Sequence, residues 1–103
     1  QMDYQKATPF YRSVIRNKKD KWLPQHYYNL GWCFFKTGQV ANAIKSMRTA
    51  RAISGTKGYI KIKDDIADSL LLFYAENAEL APGLKVLDEA PPKERSRLLL
   101  KFI

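Results

Sequence analysis

The fold is decided by residues 27–53, which read YYNLGWCFFKTGQVANAIKSMRTARAI. On both sides of Thr37-Gly38, apolar side chains recur every three or four positions, which is the spacing of one helix face. Glycine after the last periodic residue is a helix-ending signal. The stretch therefore predicts two helices joined by a tight turn. Their contact would pair small residues with large ones: Leu30, Gly31 and Phe34 on the first helix, and Ala43, Met47 and Ala50 on the second.

Outward from this hairpin, the same spacing predicts an all-α chain. The stripe of a further helix contains Ile66, Leu70 and Phe73, and glycine or proline clusters separate the periodic segments. We predict no strands. The predicted helices cover residues 4–17, 23–37, 40–53, 60–78, 81–89 and 93–103.

The chain also repeats its own pattern. The small-large-small set of the hairpin's second helix has counterparts 36 residues before it and 40 residues after it. Self-similarity at a fixed interval of this length is typical of stacked helical repeats. The three sets are Ala7, Tyr11 and Val14, then Ala43, Met47 and Ala50, then Gly83, Leu87 and Ala90.

The central repeat resembles the tetratricopeptide repeat family, whose motif reads W-x2-L-G-x2-Y and later A-x3-F. The matching positions are Tyr27, Leu30, Gly31, Phe34, Ala43 and Met47. Tyrosine replaces the motif's tryptophan, methionine replaces its phenylalanine, and both intervals exceed the family's 34 residues. The resemblance implies a right-handed superhelix of stacked antiparallel helix hairpins.

We expect one domain over residues 1–103, as a segment of a longer array. Its units would be a partial repeat over 1–19, repeats over 20–57 and 58–92, and a final helix over 93–103. That last helix ends on apolar residues 98–103, which predicts self-association. No apolar run approaches the ~20 residues of a membrane span, so we expect none.

The sequence offers no set of residues for catalysis. The single histidine, His26, and the single cysteine, Cys33, are seven residues apart on one predicted helix, about 10 Å of rise, so they cannot act as base and nucleophile. Asp64, Asp65 and Asp68 lack the glycine and distal glutamate of a calcium loop. We expect a protein that is not an enzyme and has no metal or cofactor.

The resemblance implies a binding function instead. In the family, the first helix of each pair lines a concave surface that holds a protein or peptide. Inward packing leaves Gln25, Tyr28, Trp32, Phe35 and Lys36 on the other face of the second predicted helix. These aromatic rings either pack against the neighbouring repeat or form a platform for a partner's side chains. On the following repeat, the same face carries Asp65, Asp68, Leu72, Ala75 and Glu76, so the surface would become acidic.

Charge suggests an alternative partner. Residues 1–57 carry 11 Lys/Arg and 2 Asp, a net charge of +9, whereas residues 58–103 carry 7 Lys/Arg and 8 Asp/Glu, a net charge of −1. A stripe of Lys45, Arg48 and Arg51 could bind nucleic acid or another acidic ligand. We favour a protein partner, because this face of a repeat's second helix ordinarily faces solvent. Residues 20–32 also resemble a bacterial subtype common in cell-envelope scaffolds, which slightly favours that location.

Overall fold

The computed structural model describes residues 3–77 and Val86. All regular structure within residues 3–77 is helical, so the predicted all-α class is confirmed. The four helices are α1 (Tyr4–Val14), α2 (Leu23–Lys36), α3 (Val40–Ile53) and α4 (Lys63–Glu76). Apart from Val86, the predicted helices over 81–89 and 93–103, and with them the apolar segment 98–103, lie outside the described residues.

Each helix packs against the next one along the chain. The connection between α2 and α3 contains only residues 37–39, so these helices fold back on each other as antiparallel neighbours. Gly38 has a φ of 82°, a left-handed conformation that a residue without a Cβ adopts at little cost. The turn at Thr37-Gly38 is therefore confirmed, and the bounds of α3 agree with the prediction.

Among the described residues, the buried core is one cluster to which α2, α3 and α4 all contribute. Gly31 lies buried where α2 meets α3, as predicted, and a Cβ atom there would lie 3.1 Å from Cγ of Met47 and 3.3 Å from the carbonyl oxygen of Ala43. The fully buried members include Ala43, Met47, Ala50, Ile66, Leu70 and Phe73. Val86 also belongs to this cluster. The alternation of small and large residues thus lets α2 and α3 approach closely.

Helix α2 ends one residue before its predicted end, whereas α1 and α4 differ from the prediction by three residues at one end, because backbone groups there have other partners. At the end of α1, the amides of Arg16 and Asn17 bond to carbonyl oxygens three residues back, which closes the helix in a tighter turn. The helix therefore ends at Val14 and not at residue 17. At the start of α4, Ile60 N–H donates to the carbonyl of Lys21, and Ile62 N–H donates to Oγ of Ser54. Because these amides are bonded outside the helix, α4 begins at residue 63 and not at residue 60.

The bonds before α4 also tie two loops together. Tyr59 and Ile60 form hydrogen bonds to Lys18 and Lys21, which together make the loop contact. The hydroxyl of Tyr59 donates to the carbonyl of Lys18, and Ile60 N–H lies 3.0 Å from the carbonyl oxygen of Lys21. The α1–α2 loop and the α3–α4 loop therefore lie against each other at one edge of the helical layers.

The carboxylate of Asp20 lies just before the start of α2. Asp20 accepts a hydrogen bond from Trp22 N–H at 2.9 Å, and its other oxygen lies 2.8 Å from Nε2 of His26. The hydrogen bond from the Trp22 amide is the main cause that lowers the pKa of Asp20, and the bond with His26 is the second. His26 is thus bound to a structural carboxylate at the helix start.

We expect this carboxylate to make stability depend on pH in acid. Because the pKa of Asp20 is lower in the folded chain, its contribution is present above the unfolded value of about 3.9 and is lost as pH falls through the folded value. As pH falls from about 5 to below the unfolded value, the melting temperature of the parent should therefore fall by more than that of Asp20→Asn. Thermal melts followed by circular dichroism measure this. Parallel curves for the two proteins would contradict it.

Candidate functional site

A groove of about 430 Å³ lies between α2 and α4. Among the described residues, α2 contributes Tyr28 and Trp32, which are one helical turn apart. From α4 come four residues at a spacing of three or four: Asp65, Asp68, Ser69 and Leu72. Rings thus line one side of the groove, and carboxylates with an aliphatic side chain line the other.

The rings on α2 are fixed by a ring on α4. Phe73 is fully buried. Its centroid lies 5.1 Å from that of Trp32 in an edge-to-face arrangement and 4.3 Å from that of Phe35, which is stacked on it. Such pairs stabilise beyond the area that they bury. The aromatic face of α2 therefore packs against α4 through Trp32 and Phe35. Packing against a neighbouring helix pair was one of the two alternatives for these residues.

A serine joins the polar ends of the two groove rings. Nε1 of Trp32 donates to Oγ of Ser69 at 3.1 Å, and Oγ of Ser69 donates to the hydroxyl of Tyr28 at 3.4 Å. Ser69 is buried, so its hydroxyl cannot form hydrogen bonds with water, and these two bonds replace them. Ser69 was not among the residues predicted for the site. Its position four residues after Asp65 and three before Leu72 was the available signal, because that spacing places it on the same helix face.

The five predicted binding residues are placed differently from one another. Tyr28 and Trp32 line the groove, whereas Gln25, Phe35 and Lys36 do not. Gln25 instead donates to Oδ1 of Asn29 at 2.9 Å. Lys36 is exposed, and its Nζ lies 5.7 Å from the centroid of Trp32, within cation–π range. The structure therefore brings together two of the five and adds the acidic side from α4.

The acidic side agrees with the α4 face that the sequence identified. Of its five predicted members, Asp65, Asp68 and Leu72 line the groove. Ala75 and Glu76 are exposed on the same helix but are not among the lining residues. Asp65 and its neighbour Asp64 are both exposed in the first turn of α4, where negative charge is favourable near the helix N-terminus.

The cysteine that the sequence offers as a reactive group lies in the core of the protein. Cys33 is fully buried on α2, and burial raises the pKa of its thiol, which disfavours the reactive thiolate.

Within residues 3–77 and Val86, no group of three or more His, Cys, Asp or Glu side chains could hold a metal ion. None of the helices found there is long and apolar enough to cross a bilayer.

The basic stripe lies on α3. Lys45 and Arg48 are exposed and line a shallow groove of about 540 Å³ on this helix, together with Ile44 and Thr49. Arg51 is half-buried and does not line that groove. Only two of the three cations are therefore placed to act on one ligand there.

Comparison of the chain with protein-family models, with curated proteins and with solved structures finds no match. The groove between α2 and α4 is therefore interpreted from its geometry.

Proposed function

We propose that the chain is a non-enzymatic adaptor that holds a segment of a protein partner in the groove between α2 and α4. The observation that carries the proposal is the groove itself, with Tyr28 and Trp32 on one helix and Asp65 and Asp68 on the other. Its volume lies in the range of ligand sites in proteins. The helix order and the close approach at Gly31 support a tetratricopeptide-type superhelix, whose concave face this groove would form.

The chemistry of the groove favours a partner segment with a lysine or arginine. A cation placed between the two helices would meet carboxylates on one side and the face of an aromatic ring on the other, and both attract it. Lys36 already lies over Trp32, and Trp32 also packs against Phe73, so we assign the partner's cation to Tyr28. In this proposal Trp32 positions the groove, and Tyr28 contacts the partner's cation.

An apolar side chain next to that cation would also find a contact. Leu72 is 36% exposed, although it is a large aliphatic residue. Covering it removes apolar surface from water, which contributes roughly 25 cal/mol per Å² before the costs of association. We therefore expect a partner segment in which a basic residue is flanked by an apolar one.

Two neighbouring aspartates provide a matched test. Asp65→Lys reverses a charge that lines the groove, whereas Asp64→Lys makes the same change one residue away, outside it. A random peptide library displayed on phage should yield binders enriched in Lys or Arg beside apolar residues. The affinity of a selected peptide should fall about tenfold or more in Asp65→Lys and less than about threefold in Asp64→Lys, as measured by titration calorimetry.

The pair controls for stability as well as for net charge. Both aspartates are exposed in the first turn of α4, so each lysine loses the same interaction with the helix dipole. Equal losses in the two variants would mean that only bulk charge matters. Selected peptides without Lys or Arg would mean that the groove does not bind a cation. Either outcome would reject the proposed function.

A further inference from the structure

A second groove, of about 630 Å³, lies on a different side of α2, between α1 and α3. Arg12 and Arg16 approach it from the α1 side, with Lys18 just after that helix, and Lys45 approaches it from α3. Its floor includes Tyr27 and Phe34 of α2. None of the residues that line it lines the groove between α2 and α4, so the two surfaces are separate.

Within residues 3–77, no carboxylate pairs with the four cations of this groove. All four side chains are exposed, and none forms an ion pair within residues 3–77. The two aspartates of that half of the chain are engaged elsewhere, since Asp3 caps α1 and Asp20 bonds to Trp22 and His26. The described residues that line the groove include no acidic side chain. Among the described residues, the positive charge of the groove is therefore not neutralised by ion pairs, and such a surface attracts an anionic ligand.

The cations at one side are held over the rings of the floor. The guanidinium of Arg12 lies 5.4 Å from the centroid of Phe34. Nζ of Lys18 lies 5.5 Å from the centroid of Tyr27 and donates to its hydroxyl at 3.1 Å. These contacts restrict two long side chains before any ligand arrives, so less entropy is lost on binding. They also place charge over the ring faces on which nucleic-acid bases would otherwise stack.

We infer that this groove binds an acidic amphipathic segment of a protein partner. The segment's carboxylates would pair with Arg16 and Lys45, which approach from opposite sides. Its aliphatic side chains would cover Ile15 and Tyr27, which are both only half-buried and lie in or beside the core cluster. A peptide with both properties uses the charged sides and the apolar floor together. A nucleic acid would use the charges alone.

The test uses a synthetic amphipathic peptide of about four helical turns, with Glu and Leu at the spacing of one face. Two control peptides replace every Glu with Gln or every Leu with Ser. The protein variants are Arg16→Glu combined with Lys45→Glu, and a control that combines Lys57→Glu with Lys63→Glu. All four positions are exposed, and neither control position lines the groove.

We expect the Glu/Leu peptide to bind the parent protein at physiological salt and both control peptides to bind at least about tenfold more weakly. The groove variant should lose about tenfold or more in affinity, and the matched control less than about threefold. Fluorescence anisotropy of a labelled peptide measures this. The peptide should also bind simultaneously with a basic peptide selected for the α2–α4 groove, so failure at one groove is distinguishable from failure at the other.

Several outcomes would overturn the inference. Equal losses in the two double variants would show a response to net charge alone, and undiminished binding of the Ser peptide would show that the floor takes no part. No binding of the Glu/Leu peptide would reject the site. Single-stranded oligouridylate that binds more tightly than the peptide, with an affinity lost in the groove variant, would assign the surface to nucleic acid.

Discussion

Replacing Phe73 with alanine is expected to lower the free energy of unfolding by about 3–5 kcal/mol. Phe73 is fully buried against the rings of Trp32 and Phe35, so its removal leaves a cavity that two large side chains border. A small domain has a total stability of about 5–15 kcal/mol, and a loss of this size is therefore a large fraction of it. Urea denaturation followed by circular dichroism measures the change.

Leu72→Ala provides the matched control, because it truncates the neighbouring residue of the same helix. Leu72 is 36% exposed, and its truncation should cost under about 1 kcal/mol. A second readout is the fluorescence of Trp32, which should shift to longer wavelength in folded Phe73→Ala as water reaches the ring. A Trp22→Phe background removes the signal of the exposed tryptophan. Equal stability of the two alanine variants would contradict the packing of α2 on α4.

Gly31→Leu is expected to destabilise the chain by about 3 kcal/mol, the upper end of the usual cost of overpacking. Even a single Cβ atom at Gly31 would lie 3.1 Å from two atoms of Met47 and 3.3 Å from a backbone oxygen of Ala43. Met47 can move, but the backbone of α3 cannot shift without separating the two helices. Leucine is the better helix former by about 0.8 kcal/mol, so the predicted loss is one of packing and not of helix propensity.

The control for this variant is Ala41→Leu. It enlarges an exposed residue of α3 by the same type of side chain and should change the melting temperature little. Differential scanning calorimetry of both proteins compares them directly. If Gly31→Leu melts together with Ala41→Leu, the approach of α2 and α3 is not limited by the glycine, and the alignment with the repeat motif is misplaced.

Local patterns predicted the helices well where local interactions decide them. The bounds of α3 follow from Gly38 in the turn before it and from residues 54–58, which contain two glycines and follow its last turn. The start of α4 was predicted at residue 60 because Ile62 continues the apolar spacing of Ile66 and Leu70. The amides of Ile60 and Ile62 bond instead to Lys21 and Ser54. A bond to a residue 39 positions away leaves no trace in the local pattern.

The candidate site was predictable in part for the same reason. Helical spacing identified the face of α2 that carries Tyr28 and Trp32, and the face of α4 that carries Asp65 and Leu72. It could not show that Trp32 and Phe35 pack on one ring of α4, because the spacing of one helix does not determine which of its rings a neighbouring helix covers. The shape of the groove depends on how closely α2 and α4 pack. Helical spacing places Ser69 on the same face of α4 as Asp65, but its bonds to Trp32 and Tyr28 depend on how α2 and α4 pack.

The loop contact has a consequence for the order in which the chain folds. The α2–α3 hairpin closes through a connection of residues 37–39, so its contacts are local and form with little loss of chain entropy. The hydrogen bond from Tyr59 to Lys18 joins residues 41 positions apart, and its ends meet only when the helices between them are already paired. We therefore expect the loop contact to form after the hairpin. Interactions that form late act mainly on the rate of unfolding, so this contact would lengthen the lifetime of the folded chain without hastening its formation.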